Sequence, residues 1–276
     1  MDTSPLKQRW QDGGTALGAW ISLRDPLLAE VAGTSGYDYV CIDMQHGMSD
    51  YDHVTAHLHA LARTPAVPIV RVPWLEFGII GRVLDAGALG VIIPMVNSPE
   101  EAKIAVDACR YAPVGKRSFG PLGASTRYGG GYAGSANDVV ACIPMIETRQ
   151  AVETIDAILS VPGIDAAYIG PADLSLTYGL QPRADQEGDV FDGALATVVD
   201  ACRRHGVVPG IHANASLAAK RHAAGFRMIT VGLDASPATA ALRADITSAR
   251  GSIGDGSGST QRADGVDPAE GGGEVV

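Results

Sequence analysis

Two neighbouring segments decide the fold: GVIIPM at residues 90–95 and SPEEAKIAVDACR at 98–110. The first is a short continuous apolar run, which is typical of a strand buried on both faces of a parallel sheet. The second opens with Ser98 as a capping hydroxyl, Pro99 at the first helical position and two glutamates in the first turn, the features of a helix start. The pair therefore predicts one strand followed directly by one helix.

The same unit recurs along the chain, because amphipathic segments separate eight apolar runs. These runs lie at 17–23, 39–44, 68–72, 90–95, 140–147, 166–170, 208–213 and 228–232. Eight such units predict an α/β fold, a single-domain (β/α)8 TIM barrel, with an open doubly wound sheet as the alternative. The longest interruption, 111–139, is expected to be a functional or mobile loop.

The composition separates a barrel from a tail. Hydrophobic residues make up 46% of the 276 residues and aromatic residues only 5%, so branched aliphatic side chains and alanine must fill the core. Residues 251–276 hold eight glycines, five acids, one arginine and no aromatic residue. Such a segment buries too little apolar surface to offset its ordering entropy. We therefore expect a barrel domain over 5–250 and a disordered tail over 251–276.

Charge and cysteine spacing exclude several classes of partner. The net charge of −10 argues against a nucleic-acid surface, which needs clustered Lys and Arg. The sequence contains no apolar run near the ~18–20 residues that span a bilayer and no signal-peptide core. Cys41, Cys109, Cys142 and Cys202 are widely spaced, as expected for reduced thiols. We expect a cytoplasmic protein without nucleic-acid or membrane partners.

Polar residues fall where the predicted strands end, which is where barrels place their chemistry. They are Asp43 and His46 after strand two, Arg71 on strand three, Glu147 after strand five, Gly170, Pro171, Ala172 and Asp173 after strand six, and His212 on strand seven. We therefore expect one site at this rim of the barrel.

Glu147 and Asp173 come from adjacent strands and would repel each other unless a proton or a cation lies between them. An oxygen-only site with open positions suits Mg²⁺ or Mn²⁺. The alternative is that Asp173 caps a helix and Glu147 pairs with a Lys or Arg.

Arg71 on a buried strand needs an anion. That anion is either a substrate carboxylate or phosphate, or else Asp43 or Glu147 in an internal salt bridge. Asp43 and His46 could form a carboxylate–imidazole acid/base pair, with a structural histidine as the alternative. The residues 170–173 also open a helix, whose backbone N–H groups could hold a carboxylate.

Several segments together resemble one known family. IDMQHG, VRVPW, VLDAGALGVIIPMVNSPEEA, RYAPVGKRSFGP, PMIET and GIDAAYIGPADLS, in this order over about residues 15–245, resemble the HpcH/HpaI family of metal-dependent class II pyruvate aldolases. The resemblance implies a (β/α)8 barrel assembled as a homohexamer, a trimer of dimers that exchange the last helix. It also implies cleavage or formation of 4-hydroxy-2-oxo acids, giving pyruvate or a related 2-oxo acid and an aldehyde.

The resemblance also implies a role for each rim residue. Glu147 and Asp173 would hold a divalent cation, Mg²⁺ or Mn²⁺ with Co²⁺ as a further candidate. Arg71 would contact the 2-oxo acid and stabilise its enolate, and His46 with Asp43 would be the acid/base pair.

Other residues would bind or border the substrate in the same way. The backbone amides of Gly170, Ala172 and Asp173 would hold the substrate carboxylate, Asp85 would reach a neighbouring subunit's site, and Trp20 and the 119–132 loop would border the aldehyde pocket.

Met145 and His212 depart from the family pattern, which leaves the choice of donor and acceptor open. An oxaloacetate decarboxylase or a CoA-ester lyase of the citrate lyase type is the alternative on this scaffold. A non-catalytic acid-binding barrel is a third reading, but it would require a broken set of rim residues. A Schiff-base aldolase is disfavoured because the strand ends carry no lysine.

Overall fold

The eight apolar runs form eight parallel strands, each paired with its neighbours in sequence, and the last strand pairs with the first to close a barrel. The structure is a computed structural model and describes residues 3–253. The strands are β1 (Ala16–Ile21), β2 (Tyr39–Asp43), β3 (Val67–Arg71), β4 (Gly90–Ile93), β5 (Ala141–Ile146), β6 (Ala166–Ile169), β7 (Val208–His212) and β8 (Met228–Leu233). The prediction of a (β/α)8 barrel is confirmed, and the doubly wound sheet is excluded.

Helices follow the strands and cover the outside of the barrel. They are α1 (Pro5–Gln11), α2 (Pro26–Thr34), α3 (Tyr51–Leu61), α4 (Phe77–Ala86), α5 (Pro99–Cys109), α6 (Leu122–Tyr128), α7 (Tyr132–Val139), α8 (Arg149–Glu153), α9 (Ile155–Leu159), α10 (Pro171–Thr177), α11 (Asp189–His205), the 3-10 turn η1 (Ala215–Leu217), α12 (Ala218–Ala223) and α13 (Ala235–Ser252). The predicted start of α5 is confirmed, since Ser98 Oγ accepts the amide of Glu101 at 3.2 Å.

The interruption at 111–139 contains more structure than a loop. Two short helices, α6 and α7, lie within it and contact each other, and α6 packs against α4. Tyr132 and Val139 on α7 are buried, and the hydroxyl of Tyr128 donates to the carbonyl of Gly87 at 2.8 Å. Burial of these apolar side chains against the barrel stabilises the two helices. The many glycines of this segment favour a loop, so the sequence pattern alone does not predict them.

The barrel interior is closed by aromatic rings that need glycine opposite them. A Cβ on Gly18 would lie 2.0 Å from Cζ of Tyr39, and one on Gly210 would lie 2.8 Å from Cδ2 of Tyr168. Both phenol oxygens meet Oγ1 of Thr230, at 2.9 Å from Tyr39 and 2.5 Å from Tyr168. The interior is therefore a packed and hydrogen-bonded layer rather than a pore.

The last helix, α13, extends to Ser252, and none of its residues is buried within a single chain. Residues 254–276, most of the predicted tail, lie outside the described residues. All four cysteines are free thiols and are buried. Over residues 3–253, the structure contains no helix that is long and apolar enough to cross a membrane.

Candidate active site

A cavity of about 260 Å³ opens at the rim where the carboxyl ends of the strands meet. It is lined by Trp20, His46, Arg71, Met145, Glu147, Tyr168, Gly170, Ala172, Asp173, Pro182 and His212. The barrel thus brings eight of the ten sequence-predicted site residues into one cavity, from six different strands or the turns after them.

Arg71 is held by Asp43, which stands directly across from it in the register of β2 and β3. Nε and Nη2 of Arg71 donate to the two carboxylate oxygens of Asp43 at 2.8 and 2.6 Å. Burial disfavours the charge on Asp43, but the hydrogen bonds and positive charge of Arg71 outweigh it, so the pKa of Asp43 is lowered. This geometry matches the internal salt bridge weighed for Arg71, and Arg71 still lines the cavity.

His46 lies at the exposed edge of the cavity, three residues beyond Asp43. Its backbone amide donates to Oδ1 of Asp43 at 3.4 Å, a long contact. The Asp43 oxygens are instead used by Arg71, by Trp20 Nε1 at 3.2 Å and by the Gln45 amide at 3.0 Å. No hydrogen bond joins the Asp43 carboxylate to the His46 ring among the residues described, so the acid/base pair stays a prediction.

Glu147 is a buried carboxylate whose surroundings disfavour its charged form. Its side chain is 2% exposed, and Oε1 accepts the backbone amide of Met95 at 2.7 Å. Burial, with a smaller contribution from the negative charge of Asp173, raises the pKa of Glu147 to about 7, against lowering by the Met95 amide and Arg71. A carboxylate in these surroundings binds either a proton or a cation near neutral pH.

Gly170 lets the strand-six turn approach Glu147 closely. A Cβ at this position would lie 2.4 Å from Oε2 of Glu147 and 2.9 Å from Cε of Met145. The turn then delivers Asp173 on the first turn of α10 to the same cavity. Two carboxylates that line the same cavity are a donor set that fits a hard divalent cation.

Two carboxylates are too few protein ligands to fill the coordination shell of a structural metal site. Over residues 3–253, no group of three or more His, Cys, Asp or Glu is arranged to hold a metal. Structural metal sites are filled by protein ligands, whereas catalytic sites keep positions open. The donor set therefore fits a cation that completes its coordination with substrate or water oxygens.

Asp85 lies outside this cavity. It is on α4, where Oδ1 accepts from Nη2 of the buried Arg117 at 2.6 Å. Together with Gly120, Leu122 and Gly123 it lines a second groove, on the outer surface between α3, α4 and α6. The predicted contacts of Asp85 with a neighbouring subunit and of the 119–132 loop with the aldehyde stay predictions.

The comparisons with known proteins agree with this geometry. Residues 16–241 match the family model described as HpcH/HpaI aldolase/citrate lyase. The chain belongs to this family. A hydroxypyruvate/pyruvate aldolase of Rhizorhabdus wittichii is 41% identical over 242 residues, covering 87% of this chain and 96% of that protein.

Two further relatives extend the HpcH/HpaI comparison. A 2-keto-3-deoxy-L-rhamnonate aldolase of Salmonella gallinarum is 34% identical over 248 residues, 87% of this chain and 91% of that protein. The crystal structure of an HpcH/HpaI family protein from Burkholderia cenocepacia has a TM-score of 0.82 and 34% identity, covering 90% of this chain and all of that one. Family membership and these relatives confirm the predicted enzyme class, an aldolase-type carbon–carbon lyase.

Met95 and Tyr168 are among the contributors to the site of this HpcH/HpaI member that sequence reasoning missed. Met95 is the one non-glycine residue with positive φ among those described, at 56°, and this turn aims its amide at Glu147. Tyr168 lies on β6 and forms part of the cavity wall, stacked on Trp20 with ring centroids 5.9 Å apart. Methionine carries no sequence signal for a left-handed turn, whereas the position of Tyr168 two residues before Gly170 could have placed it on the inner face of the strand.

Proposed function

We propose that this chain is a divalent-metal-dependent aldolase that cleaves or forms 4-hydroxy-2-oxo acids. The observation that carries the proposal is Glu147, a buried carboxylate with a pKa near 7 that shares its cavity with Asp173 and Arg71. Glu147 and Asp173 would hold the cation, Mg²⁺ or Mn²⁺ with Co²⁺ as a further candidate. When bound, the cation supplies positive charge to the oxygens of the 2-oxo acid, which stabilises a developing enolate.

The side chains then divide the work of bond cleavage. His46 accepts the proton of the 4-hydroxyl group as the C3–C4 bond breaks and the aldehyde carbonyl forms. The electron pair of that bond becomes the enolate of the 2-oxo acid, whose negative charge Arg71 stabilises. Asp43 orients Arg71 through its two hydrogen bonds. A proton returned to C3 then gives pyruvate or its relative.

The substrate carboxylate would be held by the turn after β6, at the amides of Gly170, Ala172 and Asp173. Trp20 and His212 pack edge-on and form one wall of the cavity, with Arg71 over the ring of Trp20. From the names of the relatives, we propose pyruvate or hydroxypyruvate as the donor. An oxaloacetate decarboxylase would need the same enolate chemistry, whereas a cavity of about 260 Å³ is small for a CoA ester.

Chelation tests the proposal. Exhaustive EDTA treatment is expected to abolish pyruvate release from a 4-hydroxy-2-oxo acid, and Mg²⁺ or Mn²⁺ to restore it. Borohydride with pyruvate should leave activity unchanged, because the described cavity lining contains no lysine to form a Schiff base. Full activity after chelation would refute metal dependence, and acceptance of oxaloacetate alone would favour the decarboxylase.

We also propose that the protein is a homohexamer, a trimer of dimers. The supporting observation is α13, an 18-residue helix without a buried residue in the single chain. Its Leu242 and Ile246 are 70% and 50% exposed, so a second chain would give their apolar surface a place to pack. Sedimentation equilibrium measures the assembly, and a monomer at micromolar concentration would contradict the proposal.

A further inference from the structure

His212 is a buried polar residue that takes no part in the proposed bond cleavage. It is the last residue of β7, is 4% exposed and lines the cavity. Its ring stands edge-on to Trp20, with centroids 4.9 Å apart. Placing an imidazole in a largely apolar wall has a desolvation cost, which a hydrogen bond to a bound ligand would offset.

The other polar atoms on this wall are already engaged. Trp20 Nε1 donates to Asp43 at 3.2 Å, and the hydroxyl of Tyr168 meets that of Thr230 at 2.5 Å. Met145 and Pro182 complete the lining with apolar surface. Among the described residues of this wall, His212 is therefore the side chain placed to make a polar contact with a ligand.

The ionisation of His212 narrows the kind of ligand. Burial and, to a smaller extent, the nearby charge of Arg71 lower its pKa to about 4, against the opposing effect of Asp43. The ring is thus neutral at neutral pH, with one nitrogen as donor and the other as acceptor. A neutral ring attracts a second carboxylate weakly, whereas a hydroxyl can both donate to it and accept from it.

We propose that His212 is a specificity-determining residue that recognises a hydroxyl group carried by the substrate outside its 2-oxo acid core. The inference rests on the proposed aldolase function and gives it a substrate class. The hydroxyl belongs either to the donor, on the carbon beside the carbonyl as in hydroxypyruvate, or to the aldehyde. A substrate lacking it leaves a buried imidazole unpaired, which lowers its kcat/KM by about tenfold or more.

Substrate pairs that differ by one hydroxyl test this in two arms. The donor arm compares hydroxypyruvate with pyruvate, each with propanal and Mn²⁺. The acceptor arm compares glycolaldehyde with acetaldehyde, each with pyruvate and Mn²⁺. His212→Phe keeps an aromatic edge against Trp20 and removes both nitrogens, whereas His212→Gln keeps a donor and an acceptor without the ring.

We expect His212→Phe to lower the kcat/KM ratio of the hydroxylated to the plain substrate by about tenfold in one arm and to leave the other arm unchanged. His212→Gln should restore part of that ratio. The arm that changes identifies the source of the hydroxyl. Unchanged ratios in both arms, in variants whose circular dichroism matches the wild type, would overturn the proposal.

Calorimetry separates this proposal from the proposed reaction. The Kd ratio of pyruvate to hydroxypyruvate is measured for wild type and His212→Phe without an aldehyde present. A fall in that ratio with no turnover of any pair would refute the aldolase function and leave the recognition of a hydroxyl standing. Normal turnover with kcat/KM and Kd ratios that do not differ between wild type and His212→Phe would refute the recognition of a hydroxyl by His212 and leave the aldolase function standing.

Discussion

The two ends of the barrel each hold a carboxylate beside β5 and β6, and the protein treats the two in opposite ways. Asp165, just before β6, accepts from Arg110 and pairs with Lys7, both at 2.7 Å, and accepts the Cys142 amide at 2.8 Å. Glu147, just after β5, accepts only a backbone amide among its described hydrogen bonds. Asp165 forms ion pairs with two cations, whereas Glu147 forms none among the described residues and has Asp173 as a negative neighbour.

The difference shows how a barrel divides stability from function. An ion pair at the amino ends of the strands ties α1, α5 and the start of β6 together. At the carboxyl ends, burial and the charge of Asp173 disfavour the ionised form of Glu147, and this favours binding of a cation beside the two carboxylates. Charge without an ion-pair partner at the rim, rather than the number of polar residues, is what marks the candidate active site.

Exchanging each carboxylate for its amide should produce the largest and most opposite effects. Glu147→Gln is expected to lower kcat/KM by about 10³-fold or more, because a proposed metal ligand is lost, without lowering the free energy of unfolding. Asp165→Asn leaves Arg110 and Lys7 unpaired and should lower that free energy by about 3 kcal/mol with kcat/KM of the folded enzyme close to wild type. Urea denaturation and pyruvate release measure the two quantities.

Each variant is the control for the other, since both remove one negative charge next to the same two strands. Loss of activity in folded Asp165→Asn, or a large loss of stability in Glu147→Gln, would contradict the division between the two ends.

The pH dependence of stability should show the same asymmetry, with a somewhat smaller effect. The pKa of Glu147 is about 7 in the folded protein against 4.5 for the ordinary group, so the folded state binds its proton more tightly. The free energy of unfolding of chelated protein therefore falls as pH rises from about 4.5 to 7, by about 3 kcal/mol from this group, and levels off above.

Denaturant titrations at several pH values, on chelated wild type and Glu147→Gln, measure this contribution as the difference between two curves. Titrating groups that do not interact with Glu147 contribute equally to both curves and cancel. Parallel curves would show that the Glu147 carboxylate is not perturbed.

The barrel and its rim follow from the sequence because both depend on local patterns. Continuous apolar runs mark the strands, and a polar residue directly after a run must lie at the carboxyl edge. This pattern predicts Glu147, Asp173 and His212 at one rim, and in the structure they line one cavity. It could not choose between Asp43 and Glu147 as the partner of Arg71.

That choice depends on strand register, which the sequence pattern leaves free. Asp43 stands directly opposite Arg71 in the pairing of β2 with β3, so the salt bridge forms between neighbours. Likewise, the turn at Met95 and the close approach of Gly170 to Glu147 are set by tertiary packing rather than by residue type. Such features arise only when several strands meet.

The smallest expected effect compares two layers of the barrel interior. The hydroxyls of Tyr39 and Tyr168 both meet Oγ1 of Thr230, so replacing either tyrosine by phenylalanine removes one buried hydrogen bond and should cost about 1 kcal/mol of stability. Tyr168 also lines the cavity and stacks on Trp20, which donates to Asp43. Tyr39 is not part of the cavity lining.

Tyr168→Phe should therefore lower kcat severalfold through a small displacement of Trp20 and Asp43, whereas Tyr39→Phe should leave kcat unchanged. Urea denaturation checks that the two variants lose similar stability, and steady-state kinetics on folded enzyme then isolates the effect on the reaction. Equal kcat values in the two variants would show that the hydrogen bond between Tyr168 and Thr230 contributes to stability but not to turnover. A loss of kcat confined to Tyr168→Phe would show that the functional end of the barrel includes Tyr168, which lines the cavity and stacks on Trp20, but not Tyr39, which binds the same Thr230 hydroxyl outside the cavity lining.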